Sequence, residues 1–302
     1  MNASSEVVGL VRLGLVGSAL GRRLLGAGFD VLGFDIDAAR REAFAAAGGR
    51  AAASLAEIGA ACERVVLALY NTTTVEEVLE ARDGVLAERS RTTLVVDCGT
   101  GDPDRLAALA ARLAARSAAL VEAPLSGSSA QIAAGDALGL VGGERAAAER
   151  ASDLLAAIAP RRRYVGAAGM GARAKLATNL VLGLNRAALA EGLVFAETIG
   201  LDGRTFVSLL RDSPAYSRAV DAKGEKMLAG DFAPEARLQQ HAKDVRSMLE
   251  QAAAHGHALP MTAAHAKLLA DAIAAGDGEL DNSAVIAQVR RYRSHTARPP
   301  GA

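Results

Sequence analysis

The sequence predicts an α/β N-terminal half built on a doubly wound, largely parallel sheet, followed by an all-α C-terminal half. Three observations carry this. Short apolar runs alternate with helical stretches from Val7 to Val141. Those runs are continuously apolar, as strands covered by helices on both faces are. From about Gly171 onward, helical periodicity continues with few breakers and no further strand-like run.

In chain order, Val7 to Val11 reads as a strand and Ser18 to Ala27 as a helix. Val31 to Phe34 is a second strand. Ala38 to Ala47 is a helix that stops at Gly48-Gly49, where glycine takes up a left-handed cap. Arg64 to Leu69 is a third strand, with a helix expected from about Val75. Thr93 to Asp97 is a fourth strand. Pro103 to Arg116 is a helix opened by a capping Asp102 and a first-turn proline. Ala119 to Ala123 and Ala137 to Val141 are further strands. The glycine-rich stretch Gly166 to Gly171 marks the change of pattern. Beyond it, Ala172 to Ile199, Arg204 to Arg211, Ala219 to Leu228, Leu238 to His255 and Thr262 to Ala275 read as helices, punctuated by Pro214, Pro234 and Pro260. The domains expected are 1–166 and 167–302, with a tail from Ser294 expected to lack structure.

A chain of 302 residues suits two domains. Acids and bases balance at 34 each, so no net field draws nucleic acid or anionic lipid. The polar segment Met1 to Glu6 lacks the basic and apolar regions of a signal peptide, and charges interrupt the alanine-rich stretches, so no membrane association is expected. Two cysteines, Cys62 and Cys98, without metal-ligand spacing, fit a cytoplasmic protein and give no metal site.

The most informative segment follows the first strand: Arg12-Leu13-Gly14-Leu15-Val16-Gly17. A strand, a G-x-G-x-x-G turn and a helix form the dinucleotide-binding fingerprint of a Rossmann-type sheet. Gly14 and Gly17 fill its second and third glycines. Gly14 lets backbone approach a pyrophosphate, Gly17 lets helix and strand pack, and the helix N-terminus offers N–H groups to phosphate. Arg12 replaces the first glycine, so it must accept a strained backbone or reshape the turn, and its guanidinium could reach a phosphate in compensation. Two ordinary turn glycines, or a frame running from Gly17 to Gly21, are the alternatives. The second strand supports the first frame: it ends in Phe34-Asp35, where an acid reads ribose hydroxyls and repels a 2′-phosphate. Ile36, not an arginine, follows. NAD is therefore expected over NADP.

Read without gaps, Val8 to Val31 resembles the opening of the β-hydroxyacid dehydrogenases, the family of 3-hydroxyisobutyrate dehydrogenase and tartronate semialdehyde reductase. Glu122-Ala123-Pro124-Leu125-Ser126-Gly127-Ser128 is similar to that family's D-A-P-V-S-G-G segment. Gly142-Gly143 closes the next strand as in the family. Gly166, Gly169, Gly171, Lys175 and Asn179 match its G-x-x-G-x-G-x-x-x-K-x-x-N-N stretch. Asp231-Phe232-Ala233-Pro234, Lys243-Asp244, and Asp281 with Ser283 match later patterns, so the resemblance runs from about residue 7 to 290.

The resemblance implies a Rossmann-like domain, a helical domain entered through one long helix, and an active site between them. It also implies hydride transfer between a nicotinamide cofactor and a small 3-hydroxy acid or its aldehyde or keto partner, in a homodimer or homotetramer. Lys175 would be the general acid/base: burial beside oxidised nicotinamide disfavours its charged form. Asn179, four residues on and on the same helix face, would orient substrate or lysine. Ser126, Gly127 and Ser128 would offer a hydroxyl and N–H groups to the substrate carboxylate. Lys243 would lie near both nicotinamide and substrate. The segment Cys98-Gly99-Thr100, at the end of the fourth strand, would lie by the nicotinamide, with Thr100 on the cofactor. Leu13, Leu15 and Val16 would supply the rest of the cofactor turn.

Several positions depart from the family pattern. Besides Arg12, Ser128 and Gln131 stand for glycines, Tyr70 for a loop proline, Thr178 for the first asparagine and Ala236 for a phenylalanine. They suggest a differently shaped substrate site. They also motivate the alternative of a dinucleotide-binding or regulatory homologue without turnover. An imine reductase is disfavoured because Lys175 is kept.

Overall fold

The computed structural model describes residues 6–296. The expectation for the first five residues lies outside them. So does most of the tail expected to lack structure, residues 297–302, whereas its first residues, 294–296, belong to the last helix, which ends at Thr296. The chain divides into two compact units, 1–175 and 176–302.

The first unit contains strands β1 (Val7–Val11), β2 (Asp30–Phe34), β3 (Arg50–Ala51), β4 (Arg64–Leu67), β5 (Leu94–Asp97), β6 (Ala119–Glu122), β7 (Leu125–Ser126), β8 (Leu138–Gly143) and β9 (Arg161–Gly166). Between them lie helices α1 (Leu15–Gly26), α2 (Ala38–Ala46), α3 (Leu55–Ala61), α4 (Thr72–Glu80), α5 (Pro103–Ala114), α6 (Ser129–Ala134), α7 (Arg145–Arg150) and α8 (Ser152–Ile158). The order β3-β2-β1-β4-β5-β6 is parallel throughout. It reverses between β1 and β4, the switch point at which open α/β sheets place their ligands.

Burial shows why the strand runs are continuously apolar. Along β4, Val65 and Leu67 enter one core cluster with Ile58, Leu79 and Leu109, while Val66 enters another with Leu20, Leu24 and Leu154. Successive side chains point to opposite faces, and helices cover both.

Parallel pairing ends at β6. β8 runs antiparallel to β6 and β7, and β9 is parallel to β8. The sheet is thus mainly parallel, as expected, with β8 as its antiparallel strand. β9 was not readable as a strand because it opens with Arg161-Arg162-Arg163, and charge on such an edge blocks further pairing. The two-residue β3 and β7 and the short α3, α6, α7 and α8 gave too little periodicity to read. Helix starts also moved. α1 begins at Leu15 rather than Ser18, and α4 at Thr72 rather than Val75, because the Asn71 side chain accepts the Thr74 N–H at 2.8 Å.

In the second part of the chain α9 (Met170–Thr198) is followed by α10 (Gly203–Arg211), α11 (Arg218–Ala229), α12 (Leu238–Ala254), α13 (Pro260–Ala274) and α14 (Val285–Thr296). α14 was not anticipated. By length and composition α9 is apolar enough to cross a bilayer, yet it buries Lys175, Asn179 and Arg186, and its Leu189, Ala190 and Leu193 join the core with Met227, Leu238 and Leu269. That is the pattern of a core helix.

Candidate dinucleotide and catalytic site

The turn after β1 has the form the sequence required, strain included. Arg12 has φ 75°, in the left-handed region that glycine adopts freely and a long side chain does not. Its N–H donates to the Phe34 carbonyl at 2.7 Å, which ties the turn to β2. Gly14 then starts α1, and among the described residues no side chain caps that helix end. A helix start of this kind at a switch point is where such sheets hold phosphate. Ser18 does not cap it either: its hydroxyl donates to the Leu13 carbonyl at 2.7 Å. Leu13 is buried, whereas Leu15 is exposed and Val16 half-buried along the turn.

Asp35 lies at the end of β2 as expected and is 3 % exposed. Its carboxylate accepts the Leu13 N–H at 2.7 Å and the Asp37 N–H at 3.0 Å. Burial opposes its ionisation, but these N–H donors and the Arg40 guanidinium at 3.5 Å hold its pKa below the usual value. No arginine follows directly in sequence, but Arg40 and Arg41 return to Asp35 from α2, Arg41 donating to its carbonyl. Helix-borne arginines five and six residues on were invisible to a reading of the next residue alone.

At the neighbouring strand ends, Tyr70 follows β4 and Cys98-Gly99-Thr100 follow β5. Cys98 is packed into the core with its thiol pKa pushed up by burial, and the half-buried Thr100 lies beyond it. Tyr70 lies beneath Arg12, with the guanidinium carbon 5.7 Å from the ring centroid. These two departures from the family pattern are one contact.

Lys175 is 7 % exposed, and its ammonium donates to the Leu125 carbonyl at 2.7 Å. The lysine is thereby fixed beside the Ser126-Gly127 segment. What orients this part of α9 is Glu122, which the sequence reading did not single out. Its carboxylate accepts the N–H groups of Gly169 at 2.6 Å and Ala172 at 3.1 Å, capping α9 one turn before the lysine. A β-carbon on Gly171 would lie 2.9 Å from Glu122 Cβ, so the glycine permits this approach. The available signal was an acid ending an otherwise apolar strand.

Ser126 is half-buried and Gly127 exposed. Ser128 is engaged elsewhere: its N–H donates to Gln131 Oε1 at 2.8 Å and its hydroxyl accepts the Gln131 N–H at 3.3 Å, forming the capping box of α6. Two more departures from the family pattern are again one contact.

Asn179, 7 % exposed, sits one turn after Lys175 on α9 and donates to Asp244 Oδ2 at 3.1 Å. Lys243 reaches the other oxygen of Asp244 at 3.0 Å. Asn179, Asp244 and Lys243 thus form one polar group. Asp281 serves a different purpose. It accepts bonds from Lys223 at 2.8 Å, from the N–H groups of Glu235 and Ala236, and from Ser283, so that motif is a structural clasp.

A Rossmann-type sheet with an uncapped helix at its switch point and an acid at the end of β2 defines a dinucleotide-binding protein. Residues 7–169 match the family described as the NAD binding domain of 6-phosphogluconate dehydrogenase. Residues 169–289 match the one described as NAD-binding of NADP-dependent 3-hydroxyisobutyrate dehydrogenase. The chain belongs to the 3-hydroxyisobutyrate dehydrogenase-like family of β-hydroxyacid dehydrogenases. It is 32 % identical over 283 residues to L-threonate dehydrogenase of Cupriavidus necator, covering 93 % of this chain and 95 % of that one. It is also 32 % identical to 2-(hydroxymethyl)glutarate dehydrogenase of Eubacterium barkeri, covering 92 % and 93 %. Its fold superposes on Mycobacterium tuberculosis 3-hydroxyisobutyrate dehydrogenase, solved with L-serine, with TM-score 0.84 at 28 % identity over 94 % of this chain and 99 % of that one.

Proposed function

We propose that this protein is a nicotinamide-dependent dehydrogenase or reductase of a small 3-hydroxy acid or its carbonyl partner, with Lys175 as the general acid/base. The observation that carries this reading is the buried Lys175 ammonium held 2.7 Å from the Leu125 carbonyl, next to Ser126. The bound nicotinamide supplies or accepts the hydride. As the neutral amine, Lys175 Nζ takes the hydroxyl proton when the alcohol is oxidised, and as the ammonium it returns that proton in the reverse direction. Ser126 Oγ and the Gly127 N–H bind the substrate carboxylate, while Asn179, steadied by Asp244, orients the reacting oxygen. Lys243, on the same carboxylate, adds positive charge for an acidic substrate. Two dehydrogenases of similar sequence, named for L-threonate and 2-(hydroxymethyl)glutarate, support an acid as substrate.

Asp35 favours NAD over NADP in this reading, since its carboxylate stays ionised and opposes a 2′-phosphate. A homodimer or homotetramer belongs to the reading as well. Val181, Phe195 and Ile199, apolar and more than half exposed on one side of α9 and its end, support it. The inactive alternative is not favoured, because Lys175 and Asn179 are both present and buried.

The test is a panel of hydroxy acids with NAD and NADP, run on the wild type and Lys175→Ala. Turnover of one or more acids by the wild type should fall about 100-fold or more in Lys175→Ala with NADH binding retained. Undiminished turnover would remove Lys175 from its role, and NADPH bound more tightly than NADH would remove the preference assigned to Asp35.

A further inference from the structure

We infer that Arg12 is a diphosphate clamp, its guanidinium resting on the Tyr70 ring and gripping the pyrophosphate of the dinucleotide in place of the fingerprint's first glycine. This rests on the dinucleotide-binding reading and adds a residue to it.

β1 and β4 are adjacent parallel strands, and the sheet reverses its order between them. Arg12 directly follows the first and Tyr70 stands three residues past the second, so the pair spans the crevice at the switch point. A β-carbon on Gly14 would lie 3.9 Å from Arg12 Nε and 3.8 Å from Arg40 Nη1. Two guanidinium groups therefore flank the glycine that begins α1. That helix start presents backbone N–H groups without a side-chain cap among the described residues, and its first turn carries no acid.

The backbone supplies an independent argument. Glycine adopts φ 75° without cost and arginine does not, so the strain is tolerated for the side chain. Arginine's planar fork matches paired phosphate oxygens, and the cation–π contact with Tyr70, 5.7 Å from guanidinium carbon to ring centroid, holds the group near the turn before a ligand arrives. The position also decides which phosphate is gripped. Arg12 belongs to the turn that leads into α1, whereas the ribose end of the cofactor falls to Asp35, at the end of β2.

The experiment is a fluorescence titration of the full chain with NADH and NADPH, and competition by ADP-ribose, at several salt concentrations. The variants are Arg12→Gly, Arg12→Asn, which tolerates the left-handed backbone without glycine's flexibility, and Tyr70→Leu. Melting temperature is read alongside. Both Arg12 variants should bind all three ligands about tenfold or more weakly, with a shallower salt dependence, as expected on losing a charged hydrogen-bond donor. Arg12→Gly should melt no lower than the wild type. Tyr70→Leu should show a smaller loss of the same kind. Unchanged or tighter NADH binding by Arg12→Gly, beside a wild type that binds, would overturn the clamp and leave the dinucleotide reading standing. A loss confined to NADPH would move Arg12 to the 2′-phosphate and overturn it too. No binding by the wild type would remove both.

Discussion

A β-carbon placed on Gly17 would lie 1.8 Å from the carbonyl oxygen of Arg12. The two residues sit five apart at the start of α1, and what meets is backbone, which cannot rotate away. Arg12 owes that carbonyl position to its left-handed backbone, so the strained first position and the obligatory third glycine are one device. Gly17→Ala must push α1 off β1 or undo the turn. It should cost about 1–3 kcal/mol, as overpacking does, and abolish measurable NADH binding. Thermal melting beside a cofactor titration checks it; a variant that melts and binds like the wild type would show that the turn yields more easily than its geometry says.

Much of this was legible in sequence because it is local. Gly14, Gly17 and Asp35 stand at fixed offsets around one strand-turn-strand unit, and the long α9 announces itself by period. What was not legible is pairing between segments. Arg12 with Tyr70 and Ser128 with Gln131 read as four separate departures from the family pattern, yet each pair is a contact, so one change accommodates the other. Arg40 and Arg41 reach Asp35 only because α2 folds back on β2. Glu122 looked like the family's acid at the head of a substrate segment, and only three dimensions show it holding the N-terminus of the helix that carries Lys175.

Glu122 gives a pH signature with a definite sign. Burial pushes its carboxyl above the usual value, against the pull of the N–H groups of Gly169, Ala172 and Gly171. Ionisation is therefore less favourable in the folded chain than in the unfolded one. The stability linked to this group is fully present below the unfolded value, about 4.3, and is lost as pH rises through the folded value. The difference in melting temperature between wild type and Glu122→Gln should shrink as pH is raised from 4 toward neutrality. A difference that grows instead would mean that the helix N–H groups outweigh burial. Because the cap steadies Lys175, the variant should also lose turnover while still binding NADH.

Asp281 titrates in the opposite sense. It is fully buried, yet Lys223 and Ser283 overcome the burial penalty and hold its carboxyl down at about 2. Its stabilisation is present above the unfolded value of about 3.9 and disappears as pH falls through about 2. Asp281→Ala leaves the Lys223 ammonium, 9 % exposed in its side chain, facing Glu235 alone and strips bonds from four backbone or side-chain donors. The loss should be about 3–5 kcal/mol at neutral pH, as for other broken buried pairs. Circular dichroism melts from pH 2 to 7 would show the gap between wild type and variant closing only at the acid end. A gap independent of pH would assign the loss to packing instead.

The capping box of α6 separates stability from substrate binding in a single residue. Gln131 Oε1 accepts the Ser128 N–H, a group that would otherwise be offered to a carboxylate alongside Gly127. Removing the acceptor with Gln131→Ala destabilises the start of α6, by about 0.5–2 kcal/mol if it behaves like other lost caps. It also releases a backbone donor beside Ser126. The substrate acid should then bind more tightly, with KM lowered severalfold and kcat little changed, because the gain is made equally in ground and transition states. Ser128→Ala is the control. It removes the hydroxyl half of the box but leaves the N–H donating to Gln131, so it should share the stability loss without the change in KM. If both variants raise KM alike, the helix cap shapes the loop and the N–H is not a substrate donor. If Gln131→Ala alone lowers it, the glutamine at this position holds the anion site below its full affinity, which explains in physical terms how a departure from the family pattern tunes an acid-binding loop without touching the catalytic lysine.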